Sequence, residues 1–175
     1  SVPFGRRNPL GVVLETGNWL AGRRGRKLET IKVKPISSIL FTPPILLPYQ
    51  IKLLKWLAFY YHQPLVNCLE AMIPVEALKA KRLMTNANKI HFQSFSPLAL
   101  DVKQTLILVP NLNRLPQTLA LYPHAKNYAI YHSELKPAEK FATWLKILSN
   151  RVDFIFGLRS AIFAPCPQLA KIIIF

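Results

Sequence analysis

One hundred and seventy-five residues, 51% of them hydrophobic, are enough for one ordinary domain or two small ones with a buried core, and they exclude disorder for most of the chain. Twenty-three Lys and Arg against eight Asp and Glu leave a formal net charge of +15, the balance of a chain that works on a polyanion, with nucleic acid the leading partner class. No apolar run approaches the roughly 18 to 20 uninterrupted residues that a membrane span needs, because residues 36 to 47 are broken by Pro43 and Pro44, and no signal peptide is visible.

The first forty residues carry strand and turn signals. Val2-Pro3-Phe4-Gly5 and Gly11-Val12-Val13-Leu14 precede a Gly- and Arg-rich loop over residues 17 to 27, and residues 31 to 36 follow, with Pro35 near their end. Short apolar runs separated by glycines predict a small barrel or sheet. Cations recur from Arg6 to Lys171 and are densest in Arg6, Arg7, Arg23, Arg24, Arg26, Lys27, Lys32 and Lys34. The loop around Gly22-Arg23-Arg24-Gly25 is flexible and cationic enough to reach a phosphate backbone.

After Pro43, Pro44 and Pro48, the residues Ile51, Leu54, Leu57, Ala58 and Tyr61 recur at helical spacing up to His62-Gln63-Pro64. Trp56, Tyr60 and Tyr61, aromatics at helical spacing, are expected in the core. Pro64 suits the first turn of a second short helix that runs to about Met72, and Pro74 closes the region. Residues 75 to 104 carry a weak signal, with one short helix around Lys79, Lys81 and Arg82, and read as a linker.

The rest alternates. Residues 105 to 109, 128 to 131, 152 to 156 and 171 to 175 read as strands, and residues 116 to 121 and 138 to 148 as helices. Strands alternating with helices predict a parallel sheet wound with right-handed crossovers, whose ligands gather at the carboxyl ends of the strands. Those ends are residues 110 to 117, His132-Ser133 and residues 157 to 165. The chain starts at Ser1 rather than Met and stops inside an expected strand, as a fragment of a longer protein would.

Several chemistries find no support. Between Gly25 and Gly157 there is no glycine, and a loop that cradles phosphates needs it, because its amides must turn inward with no Cβ in the way. Cys68 and Cys166 form no Cys-x-x-Cys, so neither a zinc site nor a disulfide framework is expected, and a reducing cytoplasm fits best. His62, His91, His124 and His132 have no ligand spacing, Ser133 lacks a nucleophile-elbow context, and Asp101 and Asp153 are too few and too far apart in sequence for a two-metal nuclease.

Together these segments resemble the primosomal protein N′ (PriA) replication-restart helicase family. Val2-Pro3-Phe4-Gly5 with Gly11-Val12-Val13 is similar to the opening of its 3′-DNA-end-binding domain, Ile31-Lys32-Val33-Lys34-Pro35-Ile36 to the next strand, and Trp56-Leu57-Ala58-Phe59-Tyr60-Tyr61-His62 with Leu69 and Pro74 to its characteristic helix. Leu108-Val109-Pro110 with Leu115-Pro116-Gln117-Thr118 is similar to the motif after the first motor strand. Tyr131-His132-Ser133-Glu134-Leu135 with Trp144 matches the next block, and Gly157-Leu158-Arg159-Ser160-Ala161 resembles the family's Gly-Thr-Arg-Ser-Ala loop.

The resemblance implies an ATP-dependent 3′-to-5′ DNA helicase that uses ATP, magnesium and zinc, acts on forked or single-stranded DNA and works with other replication-restart proteins. It also implies losses. The family's winged helix and its phosphate-binding Gly-Lys-Thr loop stand between the equivalents of Pro74 and Thr105, where about thirty residues remain, and its acidic box would begin just after Phe175. Asn111 and Asn113 stand where the family has Glu and Gly, Glu134 where it has Gly, and Leu158 where it has Thr.

For DNA binding, the resemblance assigns Gly5 and Lys34 to the pocket that receives a 3′-terminal nucleotide. In the motor-like half, Arg159 and Ser160 lie just past a strand end, where a guanidinium and a hydroxyl both address phosphate, and Arg114, Gln117 and Thr118 hold the comparable place after the first strand. The expected fold class is α/β: a small N-terminal β-rich DNA-binding module with helices over residues 1 to 74, a linker over 75 to 104, and a partial RecA-like parallel α/β lobe over 105 to 175. The expected function is DNA binding in replication restart, with no catalytic residue, no cofactor and no metal held by this chain, no membrane partner and a cytoplasmic location. The alternative is a structural RNA-binding protein of the translation apparatus.

Overall fold

A computed structural model of the chain describes residues 11–14, 36, 44–78 and 103–175. The chain divides into two compact units, Ser1–Thr42 and Pro43–Phe175. In the first unit, residues 11–14 carry no regular secondary structure, and the other strands expected before Pro43 lie outside the described residues, as does the short helix expected around Lys79, Lys81 and Arg82.

The second unit opens with three helices: α1 (Pro48–Tyr60), α2 (Leu65–Met72) and the single turn α3 (Val75–Leu78). Pro48 starts α1 because a proline in the first turn forfeits no intrahelical bond and its fixed φ is already helical. The Gln50 side chain then reaches back to accept from the Leu47 N–H at 3.0 Å, satisfying a donor the helix itself leaves open. Both α1 and the later helix Pro137–Leu148 end in the same way. With no glycine available, His62 (φ 50) and Asn150 (φ 54) take the left-handed position just past each helix. The amides that follow close back onto the last turn, Gln63 N–H to Ala58 at 3.0 Å and Arg151 N–H to Lys146 at 3.1 Å, which is the Schellman arrangement.

Four parallel strands follow: β1 (Gln104–Leu108), β2 (Tyr128–Tyr131), β3 (Phe154–Gly157) and β4 (Leu169–Ile174), in the order β2-β3-β1-β4. Between them lie α4 (Leu115–Ala120), α5 (Pro137–Leu148) and a 3-10 turn (Arg159–Phe163). The chain leaves β1 toward β2 in one direction along the sheet and leaves β2 and β3 in the other. Right-handed crossovers then place α4 on one face, and α5 and the 3-10 turn on the opposite face.

The core divides accordingly. Leu106, Ala129, Tyr131 and Ile155 pack with Trp144 and Ile147 of α5 and with Ala161, Ala164 and Cys166, while Ile107, Val109 and Phe156 pack with Leu115 of α4 and with Ala125. Strand residues alternate between the two clusters because successive side chains point to opposite faces. The α/β class and the parallel sheet expected from the sequence are therefore present.

Helix α1 is tied to the same unit as the sheet by polar groups. Tyr49 Oη donates to the Ala164 carbonyl at 3.0 Å and accepts from the Cys166 N–H at 2.9 Å, and Gln50 Nε2 donates to the Phe163 carbonyl at 2.8 Å. Only a narrow side of α1, with Gln50 and Leu54 both fully buried, meets that body. The core placement expected for the helix aromatics is thereby overturned. Trp56, Tyr60 and Tyr61 are 51%, 59% and 59% exposed, Trp56 stacking on Tyr60 at 4.9 Å, because α1 is apolar around much of its girth and, among the described residues, has more apolar surface than neighbours to cover it. Strand β4 forms one edge of the sheet, with Ile172 and Ile174 exposed.

Candidate nucleic-acid interface

Neighbouring strands β1 and β3 pair from Thr105↔Phe154 to Leu108↔Gly157, and the Val109 N–H closes the ladder on the Gly157 carbonyl at 2.9 Å. Immediately beyond that bond the two chains part, one to each face of the sheet. Divergence of adjacent strands at their carboxyl ends opens the crevice in which open α/β sheets bind ligands. The loops that flank it are residues 109–114 and 158–160.

In the first loop, Asn111 Oδ1 accepts from the Arg114 N–H at 3.1 Å and holds the 3-10 turn Leu112–Arg114. Leu115 anchors α4 in the core, which leaves Arg114 and Gln117 exposed on one side, three residues apart, with Arg114 Nη1 donating to Gln117 Oε1 at 3.2 Å. Thr118 is buried, and its hydroxyl donates to the Arg114 carbonyl at 2.9 Å, so it braces the turn from within.

The second loop is set by Gly157. A Cβ there would fall on the Tyr131 carbonyl oxygen and on the Ala161 Cβ, so the chain can turn at this point only because no side chain stands between β2 and the 3-10 turn. Ala161 is fully buried and the Ala161 N–H donates to the Leu158 carbonyl at 2.8 Å. That seating leaves Arg159 exposed, with no carboxylate partner among the described residues. The ion pair that would make Arg159 a purely structural residue does not form there. Ser160 Oγ and His132 Nδ1, the latter next to the end of β2, are buried with no hydrogen-bond partner among the described residues.

Thus five of the seven residues expected to bind DNA flank the carboxyl ends of β1 and β3: Arg114, Gln117 and Arg159 face solvent, while Thr118 and the Ser160 hydroxyl are inside. Gly5 and Lys34 lie outside the described residues. Asn111 is the residue that reading the sequence did not credit with a structural task. Its signal was local, an Asn just ahead of a helical turn, a place where its side chain caps the backbone.

These loops do not fit ATP. The amide that a phosphate would seek at the first turn, that of Arg114, is already taken by Asn111, and the loop from Val109 to Arg114 has no glycine to bring its backbone close to a phosphate. Among the described residues no three His, Cys, Asp or Glu side chains gather in one place. Among the same residues, no helix is long and apolar enough to cross a membrane.

Comparison with known proteins bears on the same segments. Residues 1–74 match the family model of the PriA 3′DNA-binding domain (3′BD). The chain is 35% identical over 88 residues to the replication restart protein PriA of Bacillus subtilis, an alignment that covers 49% of this chain and 11% of that protein. With the PriA of Helicobacter pylori strain J99 it shares 25% identity over 209 residues, and with that of Rickettsia conorii 22% over 214, in each case covering 99% of this chain and 32% of the relative. The chain therefore spans about a third or less of the length of these relatives. The two long alignments exceed its own 175 residues, so both relatives carry segments in this region that it lacks.

Proposed function

Starting from a similarity to the replication restart protein PriA that runs along nearly the whole chain, we propose that this protein binds DNA in replication restart. The observation that carries this reading is the match of residues 1–74 to a 3′DNA-binding domain. In this reading residues 1 to 74 hold a DNA end, with Gly5 and Lys34 in the pocket for the 3′-terminal nucleotide. Residues 75 to 104 link them to a truncated RecA-like lobe over residues 105 to 175.

At the crevice between β1 and β3, Arg114, Gln117 and Arg159 grip a single strand through its phosphates, and Thr118 and Ser160 hold the shape of the loops beneath them. Guanidinium contacts to phosphate carry no sequence information, so the grip is general and weakens steeply with salt. The partners are forked or single-stranded DNA and other replication-restart proteins, in the cytoplasm.

The experiment is a competition for a labelled fork that carries a free 3′ end. Unlabelled fork outcompetes structured RNA by tenfold or more, Lys34→Ala abolishes the preference for a free over a blocked 3′ end, and equal competition by RNA would sink the reading. The double variant Arg114→Ala/Arg159→Ala weakens single-strand binding about tenfold and lowers the slope of log affinity against log salt by roughly 1.4, about 0.7 for each phosphate no longer neutralised.

The motor is inactive in this chain. Supporting this, no glycine stands between Gly25 and Gly157, the Arg114 amide is occupied, and the alignment to a relative is longer than this chain. Purified protein releases phosphate from ATP no faster with DNA than the buffer does alone. Turnover above that background would restore the helicase assignment.

A further inference from the structure

The opposite end of the sheet carries a second concentration of charge. A parallel sheet brings the amino-terminal ends of all its strands to one edge, and here that edge is stitched together by its own backbone: Gln104 N–H to Gln168 at 2.8 Å, Thr105 N–H to Asp153 at 2.8 Å, and Asp153 N–H to Asn127 at 3.0 Å. Gln104 is fully buried behind it, its Nε2 donating to the Ile147 and Val152 carbonyls at 3.1 and 3.2 Å and its Oε1 accepting from the Gln168 N–H at 3.3 Å. A rigid base results.

Onto this base the sequence places Lys103 before β1, Lys126 before β2, Lys146 in the last turn of α5, Arg151 between α5 and β3, and Lys171 opposite Thr105 in β4, and all five are exposed. Among the described residues that enter the strands at this edge, Asp153 is the one carboxylate, and it is engaged with Asn127 Nδ2 at 3.3 Å. The carboxyl end of α5 accounts for Lys146 and Arg151, since exposed helix carbonyls favour cations. It does not account for Lys103, Lys126 and Lys171, which lie on three other segments.

We propose that this amino-terminal sheet edge, through Lys103, Lys126, Arg151 and Lys171, is a second DNA-binding surface that holds the phosphate backbone of a duplex arm. The inference rests on the reading that the chain binds forked DNA. Five residues of β1 at about 3.3 Å each put roughly 17 Å between this edge and the β1/β3 crevice. The single strand gripped at the crevice is therefore not the segment that lies here, and a fork supplies another. The edge is cationic and backed by a rigid hydrogen-bonded layer, which suits a regular array of phosphates read without sequence.

The test uses the full chain with Lys103→Gln, Lys126→Gln, Arg151→Gln and Lys171→Gln combined, and a control of equal charge change, Lys52→Gln, Lys55→Gln, Lys136→Gln and Lys140→Gln. Affinity is followed against salt for a forked DNA and for a bare single strand. In the edge variant the log–log slope on the fork falls by about 2 to 4, close to one per phosphate no longer neutralised, and the slope on the single strand is unchanged. The conservative swap Lys103→Arg, Lys126→Arg, Arg151→Lys and Lys171→Arg keeps the slope on the fork.

An unchanged slope on the fork, an equal fall on both DNAs, or an equal fall in the control each overturns the proposal. Wild-type protein that binds no DNA overturns the functional reading as well, so the two failures are told apart by the wild-type titration. Melting temperatures of both variants within a degree or two of wild type exclude loss of fold, and a larger fall in the edge variant alone assigns these residues to stability and overturns the proposal.

Discussion

Gly157→Ala lowers the stability of the protein by about 3 kcal/mol or more, among the larger losses expected of any single methyl group added to this chain. The reason is where that methyl would stand. Tyr131 and Gly157 are register partners in adjacent strands, and the chain turns after Gly157 directly into the 3-10 turn whose Ala161 is fully buried. A Cβ at 157 would meet the Tyr131 carbonyl oxygen and the Ala161 Cβ. Neither obstacle is the end of a flexible side chain that can swing away. Relief requires either β2 to separate from β3 or the 159–163 turn to lift from the sheet. In a unit of this size each kcal/mol moves the melting temperature by roughly 3 to 5 °C, so thermal denaturation should show a fall of about 10 °C. Ser133→Ala, an exposed position just past the neighbouring strand, stays within about 0.5 kcal/mol of wild type. A Gly157→Ala protein that melts within about 2 °C of wild type would show that the strand end has room to spare. Because Arg159 is placed by the same turn, the single-strand grip proposed above further predicts that the variant loses DNA affinity at a temperature where it remains folded.

The sheet was legible because its strands announce themselves. Residues 105–109 and 128–131 are short apolar runs bounded by Pro, Asn and Gln, and the strands β1 (Gln104–Leu108) and β2 (Tyr128–Tyr131) fall on them within a residue. Placing the candidate binding residues required only that strand ends be known. That is why Arg114, Gln117 and Arg159 could be picked out from the sequence. The exposure of Trp56, Tyr60 and Tyr61 was not legible. Helical periodicity says which residues share a face, not how many faces have neighbours, and α1 has apolar residues on more sides than its packing covers. Buried polar residues were likewise missed. Gln50 and Gln104 are fully buried and their amides are spent on carbonyls far along the chain, at Phe163, Ile147 and Val152. A glutamine carries no mark in the sequence of whether such partners await it, since they are supplied by tertiary structure alone. Thr118 illustrates the same limit within the candidate interface: its spacing from Arg114 was apparent, but the inward turn of its hydroxyl was not.

Alkaline pH should unfold this protein sooner than its high content of lysine and arginine would suggest. Cys166 is 1% exposed, and burial pushes its thiol from an ordinary 9.0 up to about 12. The folded form thus keeps its proton over a range in which the unfolded chain has lost it. Where the unfolded state binds fewer protons, stability falls as pH rises, so the contribution is fully present below about pH 9 and is lost progressively between about 9 and 12. The slope approaches about 1.4 kcal/mol per pH unit for one such group. Two tyrosines add to the fall above about pH 10: Tyr131, raised by burial, and Tyr49, raised by burial and by the neighbouring Cys166 thiol against the opposing hydrogen bond from the Cys166 amide. Denaturant midpoints measured from about pH 7 to 11 should be level to about pH 9 and then decline. Cys166→Ala carries its own constant cost from the missing sulfur. Its effect on the profile is separate: the onset moves up by about one unit, toward the range where Tyr49 and Tyr131 titrate. An onset unmoved by the substitution would mean that the thiol is reached by water and that the contacts of Tyr49 with Ala164 and Cys166, which tie α1 to the sheet, are looser than 3.0 and 2.9 Å imply. The two outcomes differ for the interface too, because that tie holds the segment immediately after the 3-10 turn that presents Arg159.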